Sequence, residues 1–159
     1  MARQQYPLEA LRKLRDERAE ARAQALARQI ATSALAEGAV LERERLRREH
    51  AQRTAQTVQA ERELLAAGQV SGADLLRSTE FESAARAQAH ALARAEEEAR
   101  SVLAKERAEE QKLREELARL EAEAKLTRNH EATFHEQNAN AAQRAEEETA
   151  LEQWNARHR

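Results

Sequence analysis

The sequence predicts an all-α fold: a long antiparallel two-helix coiled-coil hairpin. Three observations carry that expectation. Charged residues make up 35% of the 159 positions, against about 25% in an average soluble domain. Gly and Pro together number four, which leaves little material for sheets and long loops. Thirty-seven alanines and eighteen leucines supply most of the apolar side chains, and only four residues are aromatic. A compact core needs many bulky groups. An Ala/Glu/Arg/Leu/Gln chain instead suits long helices that pair along thin seams.

The first helix is expected over about 8–67. Pro7 sits where a first-turn proline is tolerated, since its missing N–H would be unpaired there. Gly38 is the one weak point and predicts at most a bend, at a cost of about 1 kcal/mol relative to alanine. The expected seam of this helix runs through Leu8, Leu11, Leu14, Ala19, Ala23, Leu26, Ile30, Ala34 and Leu41.

Residues 68–73 predict the turn. Gly68-Gln69-Val70-Ser71-Gly72 holds two of the three glycines, and a glycine just past a helix can take the left-handed cap conformation. Ser71-Gly72-Ala73-Asp74 resembles a capping box with Asp in place of the usual Glu or Gln. Thr79-Glu80-Phe81-Glu82 offers a second start signal, so the next helix opens at one or the other.

Helix 2 is expected from about 74 to 154, with Asn138-Ala139-Asn140 a tolerable interruption. Its expected seam passes through Leu92, Ala95, Ala99, Val102, Glu106 and Glu109. It continues at Leu113, Leu117 and Leu120, with an extra residue between Leu113 and Leu117. An insertion of that kind locally unwinds a coiled coil. Folding about Gln69–Val70 would set Leu65 near Leu75, Leu46 near Arg94, and His50 opposite His90.

Charge agrees with side-by-side halves. Residues 1–67 carry a net of +3 and residues 68–159 a net of −5, for −2 overall. That balance gives no general drive toward nucleic acid or acidic membranes. The strongest basic run, Arg43-Glu44-Arg45-Leu46-Arg47-Arg48, is interrupted by glutamates and has no aromatics for stacking bases, so it reads as a solvated face. No apolar stretch approaches the roughly 20 residues needed to span a bilayer. The N-terminus lacks a signal-peptide core, and the chain reads as soluble and unprocessed.

Catalysis and cofactors are not expected. Neighbouring carboxylates such as Glu96-Glu97-Glu98 point in different directions on a helix. The sequence holds no cysteine, Gly-rich phosphate loop or HExxH. His130 and His135 miss the i,i+4 spacing of a helical ligand pair, so no metal site is assigned. Tyr6, Phe81, Phe134 and Trp154 either cap the seam or serve as contacts at the tips.

The opening stretch Tyr6-Pro7-Leu8-Glu9-Ala10-Leu11-Arg12-Lys13-Leu14-Arg15-Asp16-Glu17-Arg18 resembles the SctO/YscO and FliJ family, the central stalk proteins of type III secretion and flagellar export. The length and the Gly-containing turn before a longer second helix also fit. The resemblance implies a non-enzymatic hairpin at the cytoplasmic base of the secretion apparatus. It would insert into a hexameric secretion ATPase and reach toward an SctV/FlhA-like export gate, and some family members bind secretion chaperones. On that basis Leu8, Leu11, Arg12, Leu14, Arg15 and Trp154 are candidates for the ATPase ring. Leu64, Leu65, Leu75, Leu76 and Phe81, placed by geometry at the turn, are candidates for the gate. The alternatives are a structural coiled coil that self-associates and a secretion chaperone.

Overall fold

The computed structural model describes residues 5–158 as two long helices packed against each other, an all-α hairpin. Helix α1 spans Glu9–Ala66 and α2 spans Gly72–Arg157. Gly38 does not break α1, and the Asn138–Asn140 stretch does not break α2. Pro7 lies in the turn ahead of α1, where Glu9 N–H donates to Tyr6 O and Arg12 N–H to Leu8 O. Among the described residues no helix is long and apolar enough to cross a membrane.

The turn is closed from both sides by backbone chemistry. Gln69 N–H donates to Leu64 O and Gly68 N–H to Leu65 O, which is the paired bonding of a Schellman motif. That motif places Gly68 in the left-handed region, at φ +67°, where a side chain would be strained. On the far side Ser71 caps α2. Ser71 N–H donates to Asp74 Oδ2 at 2.9 Å, and Asp74 N–H returns to Ser71 Oγ at 3.3 Å. Asp thus completes the capping box, and α2 opens here rather than at Thr79. The Thr79 hydroxyl instead donates back to Leu76 O.

Paired positions show the antiparallel arrangement directly. Tyr6 meets His130, Arg22 meets Glu116, Gln29 meets Glu106, Arg47 meets Glu96, and Glu61 meets Ser78. The chain divides into two compact units, Ala27–Gln111 with the turn, and Met1–Leu26 with Lys112–Arg159.

In the turn unit most inward positions are small or polar, with Leu92 and Leu103 the bulkier exceptions. From α1 they include Gln29, Ser33, Ala36 and Val40; from α2, Leu92, Glu96, Ala99, Leu103, Glu106 and Glu110. Glu96 is only 3% exposed. Its carboxylate sits 2.9 Å from Arg47 Nη1 and 2.6 Å from Arg100 Nη2, and Arg100 also reaches Glu44. Gln29 Nε2 donates to both the backbone carbonyl and the carboxylate of Glu106. Each such contact satisfies a polar group that would otherwise be costly to bury.

In the terminal unit α2 supplies Leu113, Leu117, Leu120, Ala124, Thr127 and Phe134 to the seam. From α1, Arg12, Arg15, Ala19, Arg22 and Leu26 face them. Arginine can lay its apolar stem along a seam while its head reaches a partner. Arg15 donates to Thr127 Oγ1 at 2.7 Å and to Glu123 O at 3.3 Å.

Two sequence expectations are corrected. Leu8, Leu11, Leu14, Ala23, Ile30, Ala34 and Leu41 were expected in the α1 seam and are exposed. The seam of α1 is rotated so that arginines and Gln29 meet acceptors on α2, which turns those residues outward. On α2 the inward positions alternate steps of four and three through Leu92, Glu96, Ala99, Leu103, Glu106 and Glu110, and the same alternation runs from Leu113 to Asn138. Leu103 and Glu110 replace Val102 and Glu109, and the extra residue expected at Leu113–Leu117 is absent. Alanines on several faces allow more than one phase, and the cross-helix polar contacts select one.

Replacing Glu96 tests this seam. Glu96→Ala leaves a gap, removes the partner of Arg47 and leaves Arg100 with Glu44 alone, and is expected to cost about 1–3 kcal/mol in urea unfolding. Glu96→Leu refills the gap with apolar volume and is expected to stay within about 1 kcal/mol of the parent or exceed it.

Candidate functional site

The residues expected to make contacts fall into two groups, one in each unit. In the terminal unit, Tyr6 is the anchor. It is 4% exposed although it precedes α1. Its hydroxyl lies 2.8 Å from His130 Nδ1, and its ring meets the His130 and Phe134 rings at 5.6 Å each. The His135 ring lies 6.5 Å from Tyr6 and edge-on to Phe134. This aromatic cluster ties the segment before α1 to α2. Tyr6 and Phe134 therefore cap the seam, the plainer of the two roles their positions allowed.

The residues expected to contact an ATPase ring divide into two kinds. Leu8, Leu11 and Leu14 are exposed. Arg12 and Arg15 are half-buried and engaged within the unit. Arg12 Nε stands 3.1 Å from Glu131 Oε2, an ion pair without an aligned N–H···O bond, and Nη1 reaches Asp16. Asp16 in turn pairs with Arg128. Trp154 is 58% exposed and stacks on the His158 ring at 4.5 Å. His158 Nδ1 lies 2.8 Å from Trp154 O, which orders the pair.

In the turn unit, Leu64, Leu65, Leu75 and Leu76 are exposed and Phe81 is half-buried. All but Leu76 line an open groove of about 490 Å³, with Val58 and Val70 adding to its floor. The geometric expectation brought these residues together. Asp74 lies on the same groove. The Ser71 hydroxyl and backbone N–H hold its carboxyl below the ordinary range, outweighing partial burial, and Arg77 adds to the effect.

Three of the four arginines in the basic run on α1 are held in ion pairs. Arg45 pairs with Glu42 and Glu49, Arg48 with Glu44, and Arg47 with Glu96. Lone cations that could meet phosphate are what nucleic-acid affinity requires, and these three are matched. His50 is half-buried and His90 exposed. Among the described residues no group of three or more His, Asp or Glu is placed to hold a metal.

Sequence reasoning missed the Tyr6–His130 contact, although folding about residue 70 placed position 6 near 134. It also missed the seam role of Arg12 and Arg15, because arginines were read as surface. Their spacing of three, continued by Ala19 and Arg22, was the available signal. No family model, curated protein or solved structure matches the chain.

Two outcomes follow. Tyr6→Ala is expected to weaken the local anchor by about 2–4 kcal/mol and Tyr6→Phe by about 1 kcal/mol. Amide exchange should speed up at residues 9–12 and stay unchanged at 96–103. Second, the carboxyls of Asp74, Glu9, Glu42 and Glu44 are all lowered in the fold by hydrogen bonds and cations. Their contribution to stability is present above the ordinary carboxylate range and is lost as pH falls through the lowered values. The thermal midpoint should therefore drop below about pH 4, and Ser71→Ala should flatten the part of that drop due to Asp74.

Proposed function

We propose that this chain is a non-enzymatic central stalk of a type III secretion apparatus, inserted into a hexameric secretion ATPase and linking it to an export gate at the cytoplasmic base. The reading starts from the likeness of residues 6–18 to the opening of the SctO/YscO and FliJ family. One structural observation supports it most. Leu8, Leu11 and Leu14, three leucines of that same stretch, remain exposed while the arginines between them are occupied in holding α1 to α2. Within the family-like segment, the arginines thus position and the leucines are left for a partner. Trp154 is a further exposed apolar group in the same unit.

The mechanism rests on unlike faces. A hairpin with leucine on one side and paired charges on others touches each subunit of a six-fold ring differently. Such differential contacts can bias which state each subunit occupies. ATP chemistry belongs to the ring. The turn groove with Leu64, Leu65, Leu75 and Phe81, together with Leu76, is the surface offered to a gate protein, and secretion chaperones are further candidate partners.

The test is direct. The full chain is added to a purified hexameric secretion ATPase, and both binding and ATP turnover are measured. Binding with increased turnover is the expected result, and Leu11→Glu with Leu14→Glu should weaken binding about tenfold or more. Absence of binding across secretion ATPases from injectisome and flagellar systems would overturn the reading.

A further inference from the structure

The groove at the turn adjoins a second one. Both are lined by Val58, Arg62 and Glu82, and the second has a volume of about 700 Å³. Its floor is made of small groups, Ala51, Thr54 and Ala55 from α1 with Ala85 and Ala89 from α2. Small residues facing each other leave this part of the seam unfilled. The two grooves together form a trough with a bulkier apolar end at Leu65, Leu75 and Phe81.

The trough also has a charge. Its rim carries Arg47, Arg62, Arg77 and Arg86 against Glu61, Asp74 and Glu82, a net of +1, although Arg47 is also held by the Glu96 carboxylate behind it. The acids are already engaged. Glu61 accepts from the Ser78 hydroxyl, Asp74 takes the Ser71 cap and Arg77, and Glu82 lies 3.9 Å from Arg86. Arg62 has no ion pair among the described residues.

A complementary element lies elsewhere in the same sequence. From Gln143 through Arg157 every residue of α2 is exposed, so this helical segment packs on nothing. It carries Glu146, Glu147, Glu148 and Glu152 against Arg144 and Arg157, a net of −2. Ala145 and Ala150 keep it slim, while Leu151 and Trp154, three apart, form an apolar knob. The lengths also agree. The trough floor on α1, from Ala51 to Leu65, and the bare segment, from Gln143 to Arg157, each span about 21 Å at the helical rise.

We propose that this segment of one copy docks in the trough of a second copy as a third helix. Leu151 and Trp154 occupy the apolar end, and the glutamates face Arg62 and Arg86. The proposal does not rest on the stalk reading, since both surfaces belong to this chain, but it uses the groove and Trp154, so a docked copy and a bound gate protein exclude each other. Each copy carries both, so association either closes as a dimer with two such contacts or continues as a chain. One short helix contact lies at the low end of specific interfaces, so the affinity should be about micromolar.

The experiment uses the full chain in sedimentation velocity from low to high concentration, at low and high salt. The expected result is a mass that grows with concentration and shrinks with salt. Leu151→Ala with Trp154→Ala, and separately Arg62→Glu, should each weaken association about tenfold while leaving helical circular dichroism unchanged. Because the chain has no native cysteine, a position-specific check is available. Copies carrying Val58→Cys and copies carrying Ala150→Cys, mixed and oxidised, should form the mixed disulfide in excess of either self-pair. A monomer at every concentration overturns the proposal. So does association that both sets of variants leave intact, or a mixed disulfide no more abundant than the self-pairs.

Discussion

The seam between α1 and α2 removes little apolar surface from water, and that constraint shapes the rest of the molecule. Alanine contributes far less than leucine when buried. In the turn unit the inward positions on α1 are Gln29, Ser33, Ala36 and Val40, so area alone cannot favour one facing over another. Specific polar contacts decide it. Glu96 between Arg47 and Arg100, and Gln29 on Glu106, fasten one phase and one register. A slip of either helix would strand these groups in a partly dry seam, where an unpaired carboxylate is costly.

The consequence is an inverted distribution of side chains. Several arginines and glutamates occupy positions that a conventional coiled coil gives to leucine, while Leu11, Leu14 and Leu41 of α1 stand outside. Exposed ion pairs contribute about 0–1 kcal/mol each, so the surface pairs along α1 stabilise little. Together with the Arg47–Glu96 pair they match three of the four arginines of the 43–48 run. Apolar groups are left exposed in both units: Leu8, Leu11 and Leu14 in one, and the leucines beside the turn in the other.

Both surfaces are fixed by local anchors of different kinds. In the terminal unit it is a ring cluster, with Tyr6 folded onto His130 and Phe134. At the turn it is backbone capping, with Gly68 closing α1 and Ser71–Asp74 opening α2. A long helix frays where it lacks partners. Each anchor sits where a helix end would otherwise loosen, and each holds apolar groups beside it in place.

The residues alone determined the helical class, the position of the turn and the antiparallel pairing. These follow from local chemistry: few helix breakers, two glycines in five residues, a Ser followed three residues on by Asp. Folding about residue 70 then fixes which positions meet to within a few residues. The turn-end group, Leu64, Leu65, Leu75 and Phe81, was legible for the same reason, since proximity to a turn needs no knowledge of helix rotation. The facing of α1 was not legible. Leu8, Leu11 and Leu14 and the set Arg12, Arg15, Ala19 and Arg22 both repeat at helical spacing. Only the tertiary structure decided between them, because the choice depends on acceptors supplied by Glu123, Thr127 and Glu131 on the other helix. Rotation of a helix about its axis is a property of the pair, and no single stretch of sequence contains it.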